Sequence, residues 1–197
     1  IFKAEENEFD GYIAPGGTEA NIQAIWVFRN EFMHKFDAKL DEIAILASED
    51  THYSIPKASN LLQIDWLKIP VAFENREIDV NALDNIISEA KNKGKKYFIA
   101  VSNMATTMFG SVDNPDVYTS ALEKHNVTYR LHIDGAYGGF VYPFSNQKSN
   151  INFSNPKISS ITIDAHKMLQ APYGTGIFVC RKGLIENVLT KEAEYVE

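Results

Sequence analysis

Strand-length apolar runs alternate along this chain with longer segments whose apolar residues recur at helical spacing, and this alternation limits the possible folds most. The strand-like runs are residues 43–47, 66–71, 97–101 and 129–133, the alternating Ile161-Thr162-Ile163-Asp164, and 177–180, with a short strand or turn at 9–14. Residues 18–36 place Ile22, Ile25, Trp26, Phe32, Met33 and Phe36 at helical spacings, and 55–64 and 115–125 also read as helices. A helix over 79–93 puts Val80, Leu83, Ile86 and Ile87 on one side, and another begins near Leu184. Thr18 is the expected N-cap of the first helix, with Asn21 where a capping box prefers Glu or Gln. Short apolar strands separated by helix-length crossovers mean an α/β domain with a mostly parallel sheet. In such sheets ligands bind outside the carboxyl ends of the strands.

Composition removes several classes of function. A chain of 197 residues can bury one sizeable core. A net charge of −7 argues against non-specific nucleic-acid binding. No apolar run is long enough to span a membrane. Residues 3–10 are polar and acidic and lack the apolar core of a signal peptide. The one cysteine, Cys180, cannot form an internal disulfide, and its apolar strand makes it a core residue rather than a nucleophile. A reducing, cytoplasmic setting is the expectation. The chain opens at Ile1 and closes at Tyr195-Val196-Glu197, and it is expected to be a fragment of a longer protein.

The candidate chemistry sits at strand ends. The strand through Ile161 and Ile163, read as half-buried, ends in Asp164-Ala165-His166-Lys167, and Ala171-Pro172-Tyr173-Gly174 then forbids regular helix. A lone loop lysine is more often a surface residue. Boxed between turns at a strand tip, Lys167 is placed to form a Schiff base. Gly16-Gly17-Thr18 precedes a helix, where free N–H groups and the helix dipole attract phosphate, although it is neither a P-loop nor a dinucleotide fingerprint. His52 lies in a polar loop after a strand. Asp134 ends the strand Leu131-His132-Ile133, with His132 on the same face. It could cap a helix, pair with a protonated heterocycle, or bind a metal with His132 and His166, a set without tight ligand spacing. A phosphate cradle, an acid, an imidazole and a lysine are together the parts that hold pyridoxal phosphate.

Four blocks carry a family resemblance, in order: Ala14-Pro15-Gly16-Gly17-Thr18-Glu19-Ala20-Asn21, Ser48-Glu49-Asp50-Thr51-His52-Tyr53-Ser54, His132-Ile133-Asp134-Gly135-Ala136-Tyr137-Gly138-Gly139-Phe140, and Asp164-Ala165-His166-Lys167. The loop from Ala105-Thr106-Thr107 to Asp113-Asn114 supplies a fifth. The chain resembles the group II pyridoxal-phosphate-dependent decarboxylases, of aspartate-aminotransferase-like fold, over nearly its whole length. The resemblance implies a three-layer large domain over 1–197, with helices on both sheet faces and with the family's N-terminal segment and C-terminal small domain absent. It implies that Lys167 carries the cofactor as an internal aldimine, and that an L-amino acid loses carbon dioxide through a quinonoid intermediate. Asp134 would pair with the pyridinium nitrogen, His52 would stack on one ring face and Ala136 would pack on the other. Gly17, Thr18 and His166 would hold the phosphate, and Thr107 would lie near the ring's 3-hydroxyl or Asp134. A homodimer completing the site is also implied. Where the family usually has Gly-Thr-Thr, this chain has Ala105-Thr106-Thr107. The run from Lys167 to Gly174 also looks similar to carbon–carbon aldehyde lyases of the sphingosine-phosphate-lyase kind, the second reading, and a non-catalytic fragment is the third. The substrate amino acid is left open.

Overall fold

The computed structural model describes residues 1–188. Strands β1 (Phe9–Ala14), β2 (Ile43–Ser48), β3 (Asp65–Ile69), β4 (Tyr97–Asn103), β5 (Thr128–Gly135), β6 (Ile158–Asp164) and β7 (Gly176–Arg181) form one sheet in the order β1-β7-β6-β5-β4-β2-β3. The five strands from β6 to β3 are parallel, and β7 runs antiparallel to both β6 and β1. The helices are α1 (Gly17–Phe36), α2 (Ser54–Leu62), α3 (Val80–Asn92), α4 (Pro115–Lys124) and the single turn α5 (Tyr142–Ser145).

Two apolar clusters, one on each sheet face, make three layers. Successive side chains along a strand alternate faces. Ile43, Ile45 and Ala47 of β2 therefore pack with Ala24, Ile25, Phe28 and Phe32 of α1 and Ile55 of α2. Ala44 and Leu46 pack with Leu83 and Ile87 of α3 and Tyr118 and Leu122 of α4 on the other face. Covered on both faces, the central strands read as continuous apolar runs.

Several expectations are corrected in detail. All seven residues of β6 are buried, so this strand is not half-exposed. Its polar alternates Ser160, Thr162 and Asp164 lie inside the molecule, and α1 lies over that part of the sheet. The N-cap of α1 is Gly16, not Thr18, which places Glu19 at the third helical position. Glu19 does not close a capping box, because both of its carboxylate oxygens accept from the Tyr12 hydroxyl, at 2.8 and 2.9 Å. Val80 is 55 % exposed rather than part of the α3 core face, because it opens the helix directly after the Asp79 N-cap. The segment near Leu184 forms a 3-10 turn, Ile185–Val188. The rest of the helix expected there lies outside the described residues.

Candidate active site

The parallel strands deliver their following loops to one edge of the sheet. β2 leads to His52, β4 to Ala105-Thr106-Thr107, β5 to Asp134-Gly135-Ala136, and β6 to Asp164-Ala165-His166-Lys167. β1 leads to the start of α1 at the same edge, since Ala14 and Asp164 both pair with Gly176 of the intervening strand. Two glycines permit this convergence by close approach. A Cβ at Gly176 would lie 2.7 Å from the Cα of Gly16. A Cβ at Gly17 would lie 2.7 Å from the Ala136 Cβ and 2.9 Å from Asp164 Oδ2. No side chain caps α1, so its first N–H groups are available to an anion.

Asp134 is buried, with Oδ1 accepting from the Ala136 N–H at 3.1 Å and Oδ2 from the Asn21 amide at 2.8 Å. Burial pushes its pKa up, opposed by those two donors and by the nearby His52 and Lys167. His52 is pushed the other way: burial disfavours the imidazolium, although Asp134 favours it. The Lys167 ammonium lies 3.1 Å from Asp164 Oδ2. Oδ1 of Asp164 is buried without a hydrogen-bond partner among the described residues. His166 accepts from the Thr175 N–H at Nδ1, 3.3 Å, and its ring centroid is 5.0 Å from that of Tyr173. His132 is engaged at both ring nitrogens, by Ser160 Oγ at 2.7 Å and Asn21 Oδ1 at 3.0 Å, so neither is free to bind a metal.

These residues surround a cleft of about 530 Å³ bounded by Gly17, Thr18, His52, His166, Lys167 and Tyr173. A narrower recess shares His52 and Lys167 and adds Thr107, Asp134 and Ala136. All eight residues singled out from the sequence therefore border one connected site. Asn21, Ser54, Asp164, Tyr53 and Lys57 went unassigned there. Asn21 and Asp164 stand inside the quoted motif blocks, so position in a block was the available signal. Nothing in the sequence distinguishes Lys57, which lines the cleft from α2.

The donor set suits pyridoxal phosphate: an uncapped helix N-terminus for the phosphate, a buried carboxylate for the pyridinium nitrogen, and an amine for the carbonyl carbon. Ala105, where the family usually has Gly, holds φ +65, the left-handed conformation that glycine adopts without strain.

Residues 2–197 match the pyridoxal-dependent decarboxylase conserved domain. The chain is similar to a tryptophan decarboxylase of Clostridium sporogenes, 59% identical over 197 residues, covering 100% of this chain and 47% of that protein. It is similar to a histidine decarboxylase of Solanum lycopersicum, 32% identical over 199 residues, covering 100% of this chain and 45% of that protein. The chain thus spans about half the length of these curated relatives. Among solved structures, TDC of Oryza sativa, determined with PLP and tryptamine, superposes with a TM-score of 0.83 at 19% identity, covering 100% of this chain and 41% of that one. That superposition shows the fold: a mostly parallel α/β sheet. The match over 2–197, on a chain whose strand ends gather these residues, means that the protein belongs to the pyridoxal-dependent decarboxylase family.

Proposed function

We propose that residues 1–197 form the cofactor-binding unit of an enzyme that decarboxylates an L-amino acid with pyridoxal phosphate, and that the substrate is aromatic, L-tryptophan first. The observation that carries this reading is the convergence of Lys167, His52 and Asp134 on one site beside the uncapped start of α1. The 59% identity to a tryptophan decarboxylase supports the substrate class. Tyr53 and Tyr173 bordering the cleft are compatible with an aromatic ligand.

Bound pyridoxal phosphate supplies an electron sink conjugated to the substrate's α-carbon. Lys167 would provide the amine that holds the cofactor, and Asp164 Oδ2, 3.1 Å from its Nζ, positions it. Asp134 would face the pyridinium nitrogen and favour its protonated form. His52 would cover one ring face and Ala136 the other. Gly17, Thr18 and His166 would hold the phosphate, and Thr107 would border the ring's 3-hydroxyl side. Reaction specificity would then rest on how the residues around the cleft orient the substrate.

A homodimer belongs to the same proposal. Met108, Phe109 and Tyr173 expose 83%, 58% and 91% of their surface next to the site, an apolar rim suited to burial by a second copy. The proposed ligand is a small molecule, an amino acid, and the proposal involves neither nucleic acid nor a membrane. A cytoplasmic location is proposed from the single buried thiol, and no helix among the described residues is long and apolar enough to cross a membrane.

The test is the full-length protein with pyridoxal phosphate and carboxyl-labelled L-tryptophan. Labelled carbon dioxide matched by tryptamine, and lost by at least about 10³-fold in Lys167→Ala, is expected. Release of an aldehyde would instead identify a carbon–carbon lyase. No visible cofactor band and no turnover with any amino acid would leave a non-catalytic protein.

A further inference from the structure

We propose that Asn21 is a positioning residue: one buried amide orients the Asp134 carboxylate and, through Ser54, sets which nitrogen of His52 carries the proton. The inference rests on the reading of this site as a pyridoxal phosphate site.

Asn21 lies in the second turn of α1 and is 1% exposed. Its amide nitrogen donates to Asp134 Oδ2 at 2.8 Å and to Ser54 Oγ at 2.9 Å. Its Oδ1 lies 3.0 Å from His132 Nε2. The amide has one workable orientation, because the reverse would set its oxygen against a carboxylate, acceptor against acceptor. Every neighbouring proton follows from this. His132 must carry its hydrogen on Nε2 to donate to Asn21, so its Nδ1 accepts from the Ser160 hydroxyl at 2.7 Å. The Ser54 hydroxyl accepts from Asn21 and has one hydrogen left to give. Its recorded neighbour is His52 Nδ1, at 3.0 Å. The Ser54 backbone N–H points at the same nitrogen, at 3.3 Å. A nitrogen that accepts two hydrogen bonds carries no proton, so the His52 hydrogen resides on Nε2.

The string Ser160–His132–Asn21–Ser54–His52 thus has a single polarity, with Asp134 attached at its centre. Ser160, His132, Asn21 and Ser54 are all buried to at least 99%. Buried polar networks are costly unless every member is satisfied, and apolar residues would fill the same space at lower cost. The charged groups acting on His52 are Asp134, Lys167, Asp164 and Lys57, none of which occupies its Nδ1. The string therefore gives the site a neutral imidazole with a defined hydrogen, and a carboxylate whose orientation is fixed by the Asn21 amide at Oδ2 and the Ala136 N–H at Oδ1.

The experiment uses the full-length protein labelled with ¹⁵N-histidine, studied without cofactor and with it. The expected spectrum shows His52 as one neutral tautomer, protonated at Nε2. Ser54→Ala removes a single hydroxyl and should yield a mixture of tautomers, while Ser54→Thr restores the wild-type signal. In the loaded enzyme, Ser54→Ala and Asn21→Ala should lower kcat by about 10²-fold with little change in KM. Asn21→Ala should also shift the pH midpoint of the visible cofactor band. A His52 signal protonated at Nδ1 in the wild type, or one unchanged in both variants, overturns the proposal. Should Asn21→Ala fail to fold, Ser54→Ala decides alone. Absence of a cofactor band in the wild type would sink the proposed function, whereas the tautomer measured without cofactor still decides this inference.

Discussion

At the scale of single residues, the sequence exposed the groups that act and hid the groups that hold them. Lys167, Asp134 and His52 could be singled out because a lysine, an acid and an imidazole at strand ends have chemistry of their own. Asn21 could not, since an amide has no role until its donors and acceptor are engaged by Asp134, Ser54 and His132, which are distant in sequence. Ala105 offers a quantitative check. Its φ of +65 costs a residue with a Cβ about 1 kcal/mol that glycine avoids. Ala105→Gly is expected to stabilise the protein by roughly 0.5–1 kcal/mol, the relief being partly offset by glycine's freedom in the unfolded chain. Urea unfolding measures it, and a loss of stability would refute the strain.

At the scale of elements, existence and type were legible, and ends and faces less so. Residues 79–93 were read correctly as a helix, capped by the Asp79 side chain on the Ala82 N–H at 2.9 Å. The start of α1 was misjudged by two residues because Gly16 takes the N-cap place with backbone alone. The half-buried reading of β6 failed because Ser160, Thr162 and Asp164 look solvent-facing by composition yet are buried with the site network. The tight seam between α1, β5 and β6 is testable. Gly17→Ala would press a Cβ against Ala136 and Asp164, so it should cost about 1–3 kcal/mol and weaken pyridoxal phosphate binding. Calorimetry and cofactor titration follow both. A second tie joins α1 to β5, where Arg130 Nε donates to Glu31 Oε2 at 2.6 Å. Arg130→Met leaves the buried Glu31 carboxylate with Lys35 alone, 3.9 Å away, and a thermal-melt loss of about 3 kcal/mol is expected.

At the scale of the whole molecule, buried titratable groups shape the pH dependence, and Asp113 is one that lies outside the candidate site. Asp113 accepts from the Asn103 N–H and amide and from the Tyr118 hydroxyl, which ties the loop carrying Thr107 to β4 and α4. Burial pushes its pKa from 3.8 to about 6. Folding therefore favours the protonated acid: its contribution is fully present below about pH 4 and is lost as pH rises through about 6. Asp10, Glu42, Asp84 and Glu123 have lowered pKa values and lose their contributions only at more acid pH. Asp113→Asn should remove this one fall in stability between about pH 4 and 7, on the order of 2 kcal/mol relative to the wild type, in melts taken across that range, while buried His132, its pKa pushed down to about 3, keeps its opposite dependence. An unchanged profile would exclude Asp113 as its source. The sequence alone determined the α/β class, the central strands and the order of chemical groups along the chain, because apolar periodicity and motif spacing are local properties. The tertiary structure decided that β7 turns antiparallel, that Gly17 and Gly176 admit α1 to the strand ends, and that Asn21 joins His132, Ser54 and Asp134. Those outcomes depend on which distant backbones approach closely enough to exclude a Cβ or share a hydrogen bond.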